Sequence, residues 1–191
     1  MHHFKLHDPH FLPHCGCEVE FLLKPGGGII LFGENGLGKT TLLHRLWSES
    51  SSPKVYVEQK ALDPFYDWTL TEVKKNLLKQ GCEKLEYYWK AFGLEQREDR
   101  RLSQLSGGEG QQLKLVCALA LEAEVYFLDE PFQFLDPDKR RILTELLEEK
   151  RRKHVALLIV EHNSGLIGKD WEMMPLKVIN GVIMKDLTWS T

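Results

Sequence analysis

The chain has 191 residues, enough for one domain with a sizeable core, and its 42% hydrophobic and 28% charged content is that of an ordinary folded protein. A net charge of −3 argues against holding nucleic acid by bulk electrostatics. No apolar run approaches a membrane span, and Met1-His2-His3-Phe4-Lys5-Leu6 lacks the apolar region of a signal peptide. A cytosolic chain is expected, with Cys15, Cys17, Cys82 and Cys117 as reduced thiols.

The N-terminal stretch holds His2, His3, His7, His10 and His14, then Cys15 and Cys17. These are possible metal ligands, but their spacing matches none of the usual zinc frames and Pro9 and Pro13 interrupt it. A surface strand and loop is the plainer reading. Glu18 to Leu23 alternates as a strand does, and Pro25-Gly26-Gly27 makes a turn.

Gly28 to Phe32 is a short apolar run that reads as a buried strand, and Thr41 to Trp47 carries apolar residues at helical spacing. Between them lies Gly33-Glu34-Asn35-Gly36-Leu37-Gly38-Lys39-Thr40, which fits G-x-x-x-x-G-K-[ST], the phosphate-binding P-loop. Its glycines let successive N–H groups turn toward phosphate oxygens, and the helix that follows adds a positive dipole end. Lys39 is placed to reach the β- and γ-phosphates, and the Thr40 hydroxyl to ligate Mg²⁺. After a serine-rich loop, Lys54 to Val57 reads as a strand that ends near Gln59, within reach of a nucleotide crevice.

Asp63 to Gly93 changes character. Thr69 and Glu72 form a helix start, with Leu70, Val73, Leu77 and Leu78 recurring at helical spacing. A second helix runs from Cys82 to Phe92, with Leu85, Tyr88, Trp89 and Phe92 on one side. This looks like a small helical subdomain set into an α/β core. Phe65, Tyr66 and Trp68 lead into it, as core residues or as a docking surface for a partner.

Ser106 opens another helix after Leu105 and before Gly107, Gly108 and Glu109, a second anion-binding shape or a simple helix cap. Glu124 to Glu130 is an apolar strand ending in two acids. Asp129 suits Mg²⁺, largely through water, and Glu130 suits the attacking water. After a turn at Phe134 to Pro137, Asp138 to Arg152 is an amphipathic helix whose basic end, Lys150 to Lys153, suits a helix C-terminus. Val155 to Val160 is another buried strand, ending at Glu161 and His162. Asn180-Gly181 joins two apolar runs as a hairpin.

In this order the motifs resemble those of the ATP-binding cassette (ABC) ATPases, over about Glu18 to Met184. Leu105-Ser106-Gly107-Gly108-Glu109 is the signature that separates this family from other P-loop ATPases. The resemblance implies an α/β fold: a P-loop NTPase core of ABC type with an inserted helical subdomain, approximately 63–120, and a reduced antiparallel β subdomain. All of 1–191 would form one ABC ATPase domain. The reduction is read from the short distance between Lys39 and Gln59.

The resemblance also implies roles. Gly33, Glu34, Asn35, Gly36, Leu37, Gly38, Lys39, Thr40 and Thr41 would be the Walker A loop that binds ATP. Gln59 would touch Mg²⁺ and the attacking water. Asp129 would be the Walker B metal ligand beside Thr40, Glu130 the catalytic glutamate and His162 the switch histidine. Ser106, Gly107, Gly108, Glu109 and the D-loop Asp136 would act in trans, closing over ATP held by a second cassette in a head-to-tail dimer. Phe11 is the candidate to stack on adenine, ahead of Phe4. The implied function is that of the ATP-hydrolysing subunit of an ABC transporter on the cytoplasmic face of the membrane, paired with a separate permease and binding no nucleic acid. The alternative is a soluble ABC ATPase acting on nucleic acid or the ribosome.

Overall fold

A computed structural model describes residues 2–6, 19–58, 67–162, 173–179 and 182–185, with side-chain environments over 23–58 and 67–162. Phe11, Gln59, Phe65, Tyr66, Cys15, Cys17 and the Asn180-Gly181 turn lie outside the described residues.

Strands β1 (His2–Leu6) and β2 (Val19–Leu23) form a two-stranded antiparallel sheet. Strand β3 (Gly28–Phe32) leads to helix α1 (Lys39–Glu49), and a short loop leads on to β4 (Lys54–Val57). Helices α2 (Leu70–Lys79) and α3 (Leu85–Ala91) follow, then two 3₁₀ turns and helix α4 (Gly107–Ala120). The rest is β5 (Val125–Asp129), α5 (Pro137–Arg152), β6 (Ala156–Glu161), β7 (Met173–Ile179) and β8 (Val182–Lys185). The main sheet runs β4-β5-β6-β3-β7-β8, parallel except for the β7–β8 hairpin.

The apolar runs explain the centre of this sheet. Strands β3, β5 and β6 are buried at every position, as a parallel strand covered on both faces must be. Alternate residues serve opposite cores. Ile29, Leu31, Phe127, Leu158 and Val160 meet Leu42, Leu43 and Leu46 of α1. Ile30, Phe32, Leu128, Leu157 and Ile159 meet Leu113, Val116 and Leu119 of α4 and Leu143, Leu146 and Leu147 of α5. Tyr88, Trp89 and Phe92 of α3 belong to that second core, so the helical segment shares its interior with the sheet. Leu78, expected on the apolar stripe of α2, faces solvent instead.

The basic run at the end of α5 is only partly a solvated face. Lys150 reaches inward, donating to the Leu119 carbonyl at 2.9 Å and to the Tyr126 hydroxyl at 2.8 Å. Arg151 is buried and donates to the Gly26 carbonyl at 3.0 Å, fastening the helix end to the turn before β3. Long stems cover apolar surface here while their heads bond the Leu119 and Gly26 carbonyls.

Strand order decides where chemistry can occur. Because β6 lies between β3 and β5, the carboxyl ends of all three open onto one edge. Phe32 pairs in register with Glu161, and Asp129 with Val160. The loop 33–38, the acids Asp129 and Glu130, and His162 are thereby brought level.

Candidate functional site

The glycine-rich loop turns from β3 into α1 through Gly38, which caps the helix at φ 83°. That left-handed conformation is strained for any residue with a Cβ. No side chain caps α1, and its first turn carries no acid. The helix start therefore presents its N–H groups and positive dipole end outward, as an anion site requires. Glu34, Asn35, Gly36, Thr40 and Thr41 are exposed there, and Leu37 packs against the core beneath.

Lys39 is buried and donates to the carbonyls of Gly33 at 2.8 Å and Glu34 at 2.7 Å. Burial pushes its ammonium below the usual lysine range, and Glu130 and Asp129 oppose that shift. Thr40 donates its hydroxyl to Asp129 Oδ1 at 3.2 Å, linking the loop to the end of β5 across 89 residues. Burial raises the Asp129 carboxyl, the Thr40 hydrogen bond lowers it, and Glu130 raises it further.

Glu130 is 4% exposed and sits at φ 50°, an uncommon backbone for a side chain of that size. Its N–H donates to the Val160 carbonyl at 2.9 Å, so the turn is stitched to β6. His162 Nε2 lies 2.5 Å from Glu130 Oε1. The loop lysine, the threonine, both acids and the histidine expected to act together are thus assembled at one sheet edge.

Two further residues shape this turn. Gln111, buried on α4, donates to the carbonyls of Glu130 at 3.4 Å and Pro131 at 3.3 Å. Glu161, the last residue of β6, accepts the N–H of Phe132 at 3.2 Å. Each carried a signal in the sequence. Gln111 is a polar residue four positions before Leu115 on the buried side of α4, and Glu161 is an acid ending an apolar strand.

The second anion-binding shape is built differently. Ser106 caps α4 by accepting from the Glu109 N–H, and Glu109 returns a bond to the Ser106 N–H at 2.8 Å. The Glu109 carboxylate also pairs with Arg97 at 2.8 Å and Arg100 at 3.0 Å. The Ser106 backbone bond and these cations hold it below the usual carboxylate range despite some burial. A Cβ on Gly108 would lie 2.9 Å from the Phe134 carbonyl, so this turn packs tightly on the segment before Asp136. A Cβ on Gly107 would meet open space. Asp136 caps α5 by accepting from the Lys139 N–H at 2.8 Å.

Oxygen donors suited to Mg²⁺ are present. Thr40 Oγ1 and Asp129 Oδ1 stand side by side, and among the described residues no cluster of three or more His, Cys, Asp or Glu could hold a metal alone. Mg²⁺ commonly takes one or two protein oxygens and fills its shell with phosphate and water, which this pair suits. Among the described residues no helix is long and apolar enough to cross a membrane.

The chain is similar to known ATP-binding proteins. The profile of the ABC transporter family matches residues 48–133. The chain is 26% identical over 188 residues to the manganese transport system ATP-binding protein MntB of Halalkalibacterium halodurans, covering 82% of this chain and 74% of that one. It is 29% identical to the lipoprotein-releasing system ATP-binding protein LolD of Syntrophus aciditrophicus, over 79% and 82% of the two chains. Other relatives are longer, the chain spanning 44% of one from Clostridium tetani. Among solved structures, an ATP-binding subunit of an ABC transporter superposes with a TM-score of 0.75 at 22% identity, over 88% and 82% of the two chains. The archaeal ribosome recycling factor aABCE1, solved with a ribosomal stalk protein, superposes at 0.67 and 27% identity, over 86% of this chain and 34% of that one.

Proposed function

We propose that this chain is an ABC ATPase and, within that family, the ATP-hydrolysing subunit of a transporter, working as a head-to-tail dimer beneath a separate permease on the cytoplasmic face of the membrane. The observation that carries the reading is the assembly of the glycine-rich loop, Thr40, Asp129, Glu130 and His162 at one edge, beside an exposed helix cap that does not belong to it.

In this reading, Gly33 to Thr41 wrap the phosphates with backbone N–H groups, and Lys39 supplies the charge that holds the terminal ones. Thr40 and Asp129, with Gln59 beyond the described residues, would hold Mg²⁺, which when bound would supply charge neutralisation at the phosphates. Glu130 takes the proton of the attacking water, and His162 fixes the orientation of its carboxylate through Oε1. Lys39, Asp129 and Glu130 are buried, which strengthens their interactions because little water competes around them. Phe11, outside the described residues, is the proposed stacking partner for adenine.

Ser106, Gly107, Gly108 and Glu109, with Asp136, close over nucleotide held by the partner, so ATP binds the two copies together and hydrolysis releases them. The permease docks near Gln59 and the helical segment, including Phe65, Tyr66 and Trp68. The roles of these relatives in manganese transport and lipoprotein release support this reading. The likeness to aABCE1 supports the runner-up, a soluble ATPase acting on the ribosome.

Fractionation of the lightly tagged, natively expressed protein separates the two. Recovery with membranes beside a multi-span protein is expected. A protein that leaves the membranes entirely and carries ribosomal proteins would overturn the transport reading.

A further inference from the structure

The turn that carries Glu130 is held from three sides. Its φ of 50° has an energetic cost that the surroundings must offset. Val160 takes the Glu130 N–H, Gln111 takes the carbonyls of Glu130 and Pro131, and Glu161 takes the N–H of Phe132. Of these, Glu161 alone also belongs to the peptide that bears His162. Its carboxylate is 2% exposed. One buried side chain thus ties the residue two beyond Glu130 to the strand end that carries the residue holding Glu130.

We propose that Glu161 is a positioning residue for hydrolysis, clamping the Glu130 turn to the strand end that carries His162 so that the 2.5 Å contact between the Glu130 and His162 side chains is kept. The inference rests on the roles given above to Glu130 and His162. An alternative anchor is hard to find in the local chemistry. Phe132 is fully buried, so water cannot replace the lost acceptor, and an unsatisfied N–H there would favour rearrangement of the turn. Displacement of a reacting group by about 1 Å can cost on the order of a hundredfold in rate.

Burial also keeps the clamp largely independent of charge. It pushes the Glu161 carboxyl up to about 7, with neighbouring Glu130 adding to the rise and the Phe132 backbone bond and Arg140 opposing it. A neutral amide of the same shape can still accept through its oxygen. Glutamine should therefore replace glutamate, and an isosteric apolar residue should not.

The test is steady-state ATP turnover and ATP affinity of the full chain carrying Glu161→Gln or Glu161→Leu, with Glu130→Gln alongside. Glu161→Leu should lower kcat by about tenfold to a hundredfold with ATP affinity within about twofold, because the glycine-rich loop is untouched. Glu161→Gln should stay within about threefold of the parent. Amide exchange should show Phe132 protected in the parent and the glutamine variant. A folded leucine variant with parental kcat overturns the proposal, as does a glutamine variant as impaired as the leucine one. If the leucine variant does not fold, fast exchange at Phe132 in the parent overturns it. Full turnover by Glu130→Gln would instead remove the underlying site reading.

Discussion

The chain carries two serine- or threonine-bearing glycine turns at helix starts, and they are built on opposite plans. The loop at Gly33 to Thr40 is closed from within. Lys39 is buried under it, Thr40 is bonded to Asp129, and three strand ends meet around it. The turn at Ser106 to Glu109 is open. Ser106 is exposed, its polar groups are satisfied by Glu109, and Glu109 is satisfied by Arg97 and Arg100. A loop closed by its own chain can bind an anion alone. A turn that has settled its own hydrogen bonds and still presents an open glycine face is suited to a surface that arrives from outside. That difference underlies the proposal that one turn holds ATP and the other completes the site of a second copy.

Glu130→Gln should break the comparison hardest. It removes the proton acceptor and preserves the shape, so ATP turnover should fall by about 10²- to 10⁴-fold. ATP should then hold the two turns together, and light scattering should report a dimer at saturating ATP. A variant that stays monomeric would leave the open turn without its proposed role, even with turnover abolished.

Lys39→Ala tests the closed loop by itself. It removes the buried ammonium and leaves the carbonyls of Gly33 and Glu34 without that donor. Nucleotide affinity, followed with a fluorescent ATP analogue, should weaken by about tenfold to a hundredfold, in line with losing a charge-assisted hydrogen bond of about 1.5–3 kcal/mol. Unchanged affinity would remove the loop from the site.

Much of the closed loop was legible in the sequence because its parts are local. A strand, a glycine spacing and a lysine read directly from Gly28 to Trp47, and acids at the end of an apolar run read from Val125 to Glu130. What joins them was not legible. That β6 lies between β3 and β5 is a tertiary fact, and it alone sets Glu161 level with Phe32 and Asp129 beside Val160. Gln111 is similar: its partners are 19 and 20 residues away. The basic run at Lys150 to Lys153 reads in the sequence as charge suited to a helix C-terminus because charge is local, whereas the carbonyls that draw Lys150 and Arg151 inward belong to Leu119 and Gly26.

Acidity sharpens the contrast between the two regions. Glu161 sits in the buried floor facing Glu130, Arg140 and His162, and its carboxyl rises from 4.5 to about 7. The folded state therefore binds its proton more tightly than the unfolded chain does. That contribution to stability is complete below about pH 4.5 and is lost as pH climbs through 7, by roughly 3 kcal/mol from this shift. Glu109 runs the other way. Its carboxyl is lowered by the Ser106 backbone bond first and then by Arg100 and Arg97, so its contribution is present at neutral pH and lost on acidification. Urea unfolding of Glu161→Gln should show a gain over the parent at pH 8 that shrinks by pH 5. Glu109→Gln should lose stability at pH 7 and approach the parent in acid. Identical pH profiles for both variants would mean the two carboxylates do not sit in opposed environments.

The gentlest probe is a pair of methyl groups. At Gly108 a Cβ would come 2.9 Å from the Phe134 carbonyl, a backbone atom that cannot swing aside, so Gly108→Ala should destabilise the chain by about 1–3 kcal/mol in urea unfolding. At Gly107 nothing lies within 4 Å of the added carbon, and the monomer should be unchanged within about 0.5 kcal/mol. The two substitutions differ by one residue in position and remove the same hydrogen atom. Any loss of turnover in Gly107→Ala must then come from something outside the monomer. If ATP on a second copy packs against that face, turnover should fall about tenfold while the nucleotide affinity and stability of the isolated chain stay at parental values. Parental turnover in Gly107→Ala would mean that nothing approaches the open turn closely enough to feel a methyl group, and the closed loop would then be acting without it.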